Sequence, residues 1–196
     1  MVACNTASTT ALPPIRAAVK IPVIGVVPAI KPAAEISKTR AIGVLGTPGT
    51  VRRKYVDELI ADFAPDCHVL LQGSTRLVSQ AEKKLAGQAV NMEIIREEIA
   101  PLFAGRAGMD VDAVVLACTH FPLLRDELHA AVRQSVKWID SGAAVARRLE
   151  TVLSDVDERA LPEHRQTAFL IGPDTDAVRA QAFADYGFEK TVGLLR

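Results

Sequence analysis

LACTHFPLL, residues 116–124, is the stretch on which the reading of the fold turns. Upstream of it, Asp112-Ala113-Val114-Val115-Leu116-Ala117 is an apolar, β-branched run of the kind buried on both faces of a parallel sheet. The run stops at the polar triplet Cys118-Thr119-His120, after which Pro122 opens an apolar-periodic helix reaching Arg133. Strand, polar turn and helix in that order set a thiol at the carboxyl end of a strand, where open α/β sheets form their ligand crevice. Val2-Ala3-Cys4-Asn5-Thr6-Ala7-Ser8 repeats the junction with a thiol, an amide and hydroxyls. Two thiols therefore occupy equivalent places.

Working outward, Ser8 and Thr9 are expected to cap a helix to about Val19, and Ile21 to Val27 reads as a strand. A short helix over Pro32 to Ser37 leads to a central strand, Arg40 to Leu45, closed by Gly46-Thr47-Pro48-Gly49-Thr50. Val51, Tyr55, Leu59 and Phe63 recur at helical spacing. His68 to Leu71 is a strand, and Leu77 to Leu85 and Met92 to Phe103 are helices. Beyond the 116–124 junction come a strand over Val136 to Ile139, a turn at Asp140-Ser141-Gly142 and a helix from Ala143 to Leu153. Residues 154 to 166 read as the most loop-like connection; Ala168 to Ile171, Asp174 to Tyr186 and Thr191 to Leu194 then read as strand, helix and strand. Strands alternating with helices throughout imply right-handed βαβ units and a mostly parallel sheet.

Bulk properties exclude several functions. In 196 residues, 23 Lys and Arg balance 23 Asp and Glu, so no field gathers nucleic acid or an anionic membrane surface. No run of roughly 18 apolar residues is present to span a bilayer, and the opening residues lack the pattern of a secretory signal. The three cysteines, Cys4, Cys67 and Cys118, have neither CxxC spacing nor density, which argues against a disulfide framework or a metal site. Reduced thiols in a cytoplasmic protein are expected.

Cys67 stands before an apolar strand without polar company and reads as a small core residue. Cys4 and Cys118 each precede a helix whose first amides favour a thiolate. Two thiols facing one carbon can do what one cannot: a thiolate removes a proton from one face while a thiol delivers one to the other, inverting the centre. That scheme needs no metal, flavin or pyridoxal, and the sequence has no GxGxxG or GxxxxGKS loop. The Gly46–Thr50 turn reads as a carboxylate binder.

VACNTAS at 2–8 and LACTHFPLL at 116–124 resemble the two catalytic-cysteine motifs of bacterial glutamate racemase and, more broadly, of the cofactor-independent aspartate/glutamate racemase superfamily. IPVIGVVP at 21–28, GVLGTPGT at 43–50 and Ile139-Asp140-Ser141 extend the likeness over essentially the whole chain. The resemblance implies two parallel-sheet α/β domains: residues 29–138 as the second, and 1–28 plus 139–196 as a first, incomplete one. It also implies catalytic roles for Cys4 and Cys118. Asn5, Thr6, Thr47, Thr50 and Thr119 would bind substrate, with His120 beside the second thiol. Glu82 reads equally as a site residue or a surface acid. The family's early Asp-Ser-Gly and Pro-Tyr-Gly turns have no counterpart before Cys4, so the chain is expected to lack roughly the first quarter of that fold.

The implied function is interconversion of L- and D-glutamate without a cofactor, supplying D-glutamate for peptidoglycan, with a homodimer left open. Aspartate racemase is one alternative. An inactive, racemase-like binding protein is the other, favoured by the short start and opposed by the retained pair of thiols.

Overall fold

The computed structural model describes residues 1–154, 166–171 and 177–194. Its centre is a four-stranded parallel sheet of order β2-β1-β3-β4, formed by β1 (Ala41–Gly46), β2 (His68–Gly73), β3 (Ala113–Leu116) and β4 (Lys137–Ile139). All of β1 and β3 is buried, as apolar runs between two helical layers must be.

Alternation along these strands divides the core in two. Ala41, Leu45, Val114 and Leu116 face one layer with Leu77, Ile95, Leu102, Phe121 and Leu128. Ile42, Val44, Ala113, Val115 and Ala117 face the other with Ile30, Ala33, Val56 and Leu59. Gly43 keeps the first layer close: a Cβ there would meet Val114 Cγ2 at 3.1 Å and Leu102 Cδ2 at 3.3 Å.

The helices of the first layer are α5 (Arg76–Leu85), α6 (Met92–Ile99), α7 (Gly105–Met109) and α8 (Arg125–Ala131). The second holds α2 (Ile30–Ile36), α3 (Pro48–Val51) and α4 (Lys54–Phe63). Outside this sheet lie α1 (Asn5–Ala18), α9 (Gly142–Leu153) and a separate parallel pair, β5 (Thr167–Leu170) and β6 (Lys190–Gly193), joined through α10 (Ala177–Asp185). No helix among the described residues is long and apolar enough to cross a membrane.

Several local expectations are corrected. The first helix begins at Asn5 with Cys4 as its cap, ahead of Ser8 and Thr9. Ile21 to Val27 forms only one parallel bridge, Val2 to Gly25. Pro22 lacks a backbone donor and the Val26 N–H is spent on Ser8 Oγ at 3.0 Å, so no ladder extends. The helix expected from Val51 to Phe63 breaks at Arg52 and Arg53, and its inward stripe is Val56 and Leu59 while Phe63 is exposed. After Cys118 the chain makes a 3-10 turn, Phe121–Leu124, before α8, with Pro122 in the first turn where a missing N–H costs nothing. The 154–166 loop and residues 174–176 of the expected last helix lie outside the described residues, save Ser154 and Gln166.

Candidate active site

Both thiols stand where a parallel element ends. Cys118 is separated from the end of β3 by Ala117 alone and is 8% exposed; Cys4 follows the Val2 bridge, is exposed, and caps α1 by accepting the Ala7 N–H at 3.5 Å. Ala3 and Asn5, on either side of Cys4, line the same cavity as Cys118.

Burial is the largest influence on the Cys118 pKa and raises it; N–H donation from His120 and Phe121 pulls the other way and is outweighed. Cys118 is thus held above the ordinary thiol range, which corrects the expectation of a thiolate-making turn at that position. Only a 3-10 turn follows it, and desolvation of the anion exceeds what a few amides return.

A cavity of about 270 Å³ opens beside Cys118, lined by Asn5, Thr119, Asp140, Ser141 and Val26 among others. That volume is near the lower end for ligand sites and suits a molecule of amino-acid size rather than a dinucleotide. Asn5 is 3% exposed and its Oδ1 has no hydrogen-bond partner among the described residues. A buried, unmated amide costs about 1–3 kcal/mol, which a donor group on a ligand would recover.

Thr6, Thr47 and Thr50 meet as a triangle of hydroxyls: Thr6 to Thr50 at 2.8 Å, Thr47 to Thr50 at 3.0 Å and Thr6 to Thr47 at 3.4 Å. The turn carrying Thr47 and Thr50 packs on the end of β2, where a Cβ on Gly73 would stand 2.9 Å from Pro48 Cα.

His120 joins Cys118 to α5. Its Nδ1 is 3.8 Å from Cys118 Sγ and its Nε2 is 2.7 Å from Glu82 Oε1. An ionised carboxylate only accepts, so a ring proton belongs on Nε2, and in the neutral ring the Nδ1 lone pair faces the sulfur. Glu82 Oε2 lies 3.7 Å from an Arg179 guanidinium nitrogen, which ties α10 to the same corner.

Two hydroxyls fix the two halves of the site. Ser8 Oγ donates to Val2 O at 3.2 Å and accepts from Val26 N at 3.0 Å. Ser141 Oγ donates to Val27 O, and Arg125 donates to Trp138 O at 2.7 Å and to Asp140.

The sequence-expected residues thus fall into three groups, Asn5, Cys118 and Thr119 on the cavity wall, the three threonine hydroxyls, and His120 against Glu82, while Cys4 is exposed at the start of α1 and does not itself line the cavity. Asp140, Ser141 and Arg179 were not among them. The Ile139-Asp140-Ser141 motif was the available signal for the first two; Arg179 has none in the sequence. Among the described residues, no three His, Cys, Asp or Glu side chains gather as a metal site.

The pattern of the Asp/Glu/hydantoin racemases matches residues 1–149. Glutamate racemase of Shewanella sp. (strain ANA-3) is 49% identical over 173 residues, covering 87% of this chain and 62% of that protein. That of Shewanella sp. (strain MR-7) is 46% identical over 194 residues, covering 96% and 70%. In three dimensions the chain is similar to Escherichia coli glutamate racemase in complex with L-glutamate and the activator UDP-MurNAc-ala, with a TM-score of 0.90 and 39% identity over 98% of this chain and 72% of that one. The chain therefore spans between 62% and 72% of the lengths of these proteins.

Proposed function

The chain belongs to the Asp/Glu/hydantoin racemase family, and from that premise we propose that it acts as a glutamate racemase, interconverting L- and D-glutamate without a cofactor. The observation that carries this reading is the placement of Cys118 on the wall of one cavity with Ala3 and Asn5, the residues on either side of Cys4.

Cys4 and Cys118 are the two acid–base groups. One sulfur, as thiolate, takes the α-proton; the electron pair left on carbon spreads into the adjacent carboxylate; the other sulfur, as thiol, returns a proton to the opposite face. The product is the enantiomer, with the protonation states of the two sulfurs exchanged. Asn5 and Thr119 bind substrate at the cavity wall, with Asn5 accepting from its ammonium group. The hydroxyls of Thr6, Thr47 and Thr50 hold a carboxylate. His120 takes the Cys118 proton on Nδ1 while Glu82 steadies the imidazolium through Nε2. Because the Cys118 thiol is raised, such a base is needed for that face to be deprotonated near neutral pH.

Residues 29–138 form one α/β unit, and 1–28 with 139–196 belong to the other. The two apolar clusters run from Ala29 to Trp138, which supports that division. The physiological role is supply of D-glutamate for peptidoglycan in the cytoplasm.

The reading is tested by incubating the 196-residue chain with L- or D-glutamate in D2O, following optical rotation and α-deuteration. Inversion with incorporation of one solvent deuteron supports it. Well-folded protein that neither inverts nor deuterates glutamate overturns it, and inversion of aspartate instead reassigns the substrate.

A further inference from the structure

We propose that Arg179 is a positioning residue for the Cys118–His120 pair, acting through Glu82: by sharing that carboxylate with the imidazole it disfavours transfer of the Cys118 proton to His120. The inference rests on the proton-transfer roles given above to Cys118 and His120.

The geometry is a four-membered relay. Cys118 Sγ faces His120 Nδ1 at 3.8 Å, His120 Nε2 meets Glu82 Oε1 at 2.7 Å, and Glu82 Oε2 lies 3.7 Å from Arg179. Moving the Cys118 proton to His120 makes a thiolate–imidazolium pair, and the imidazolium is stabilised by whatever negative charge Glu82 offers it. A guanidinium on the other carboxylate oxygen withdraws part of that charge and adds a repulsion of its own. Both effects favour the neutral thiol and neutral ring.

Side chains 32% exposed at Arg179, 39% at Glu82 and 35% at His120 place the relay at the protein–water boundary, where solvent screens it and the coupling is modest. The fold of Arg179→Gln is checked by circular dichroism and thermal melting beside the native chain.

The elements packed around this corner carry further charges. Lys84 of α5 pairs with Glu127 of α8 at 2.8 Å, Arg125 pairs with Asp140, and Arg76 pairs with Glu97 and Glu98 at 2.9 Å. Among the described residues, Lys83 on α5, Asp126 and His129 on α8, Asp185 on α10, and Cys4, whose charge bears on Cys118, stand with them. Arg179 is the cation that the structure sets on Glu82 itself.

Arg179 comes from α10, in the segment that follows the four-stranded sheet, whereas Cys118, His120 and Glu82 come from that sheet and its helices. The tuning charge is thus delivered by a different part of the fold from the groups it tunes, and displacement of α10 would release it.

The test is the pH profile of Cys118 alkylation by iodoacetamide in the 196-residue chain, read by peptide mass mapping so that Cys4 and Cys67 are scored separately. Arg179→Gln should move the Cys118 profile to lower pH and quicken its modification at pH 7.5 by about threefold to tenfold. Arg179→Lys should restore a profile close to that of the native chain, and Glu82→Gln should move it to higher pH. Coincident profiles for Arg179→Gln and native protein, or a shift to higher pH in Arg179→Gln, overturn the proposal. No turnover is needed, so a chain that fails to racemise but shows the displaced profile loses the racemase reading and keeps the coupling.

Discussion

His120 Nε2 and Glu82 Oε1 lie 2.7 Å apart although 38 residues of sequence separate them. The contact places a ring proton on Nε2 and turns the other nitrogen toward a thiol, and in the proposed mechanism it brings an exposed-looking acid on α5 into the chemistry. Glu82→Gln keeps the shape and removes the charge. We expect a fall in the racemisation rate of about 10- to 100-fold with a melting temperature within a few degrees of the native value; a rate within twofold would show that the acid is a bystander.

In the proposed mechanism each sulfur serves one face. Cys118→Ala should lower racemisation by about 100-fold or more yet leave solvent deuterium entering one enantiomer of glutamate at Cys4. Cys4→Ala should do the same for the other enantiomer. NMR of recovered substrate reads both, and exchange into both enantiomers with a single remaining cysteine would contradict the two-base assignment.

Burial raises the Cys118 thiol above its ordinary range of about 8.5. The folded chain then binds more protons than the unfolded one between the ordinary and the raised value. Stability contributed by this group is present at lower pH and is lost as pH rises through that window. Urea denaturation at pH 7.5 and 9.5 should show a steeper loss in the native chain than in Cys118→Ala, and parallel losses would refute the linkage.

Asp112 gathers Ser37 Oγ at 2.6 Å, Lys38 N at 2.7 Å and Thr39 N at 3.2 Å. Burial alone would raise its carboxyl; the three donors together outweigh burial and hold it below the usual carboxylate range. Its contribution is therefore present above about pH 4 and lost as pH falls through the depressed value. Asp112→Ala should cost about 1–3 kcal/mol at pH 7 with less penalty near pH 2.5, measured by chemical denaturation.

Much of the sheet was legible because buried parallel strands write themselves as apolar runs. The runs Arg40 to Leu45 and Asp112 to Ala117 needed no outside information to be read as strands, and the structure has Ala41–Gly46 and Ala113–Leu116 there. What escaped was non-local. No pattern around Glu82 distinguishes an acid reaching His120 from one facing water, and nothing near Arg179 points to α5. Ile21 to Val27 misled for a related reason: strand propensity describes a residue's fit to a ladder, and here a side-chain hydroxyl occupies a donor that a ladder would need. The Cys118 turn failed in sign, because the sequence displays the amides after the thiol and conceals how dry the pocket is.

Ser141 holds Val27 across 114 residues of chain. On a ribosome adding about 5–20 residues each second, several seconds or more pass between the two partners' emergence, during which the Cys4 wall has nothing to close against. The segment that carries Cys4 must wait that long for its tether to the later half of the chain.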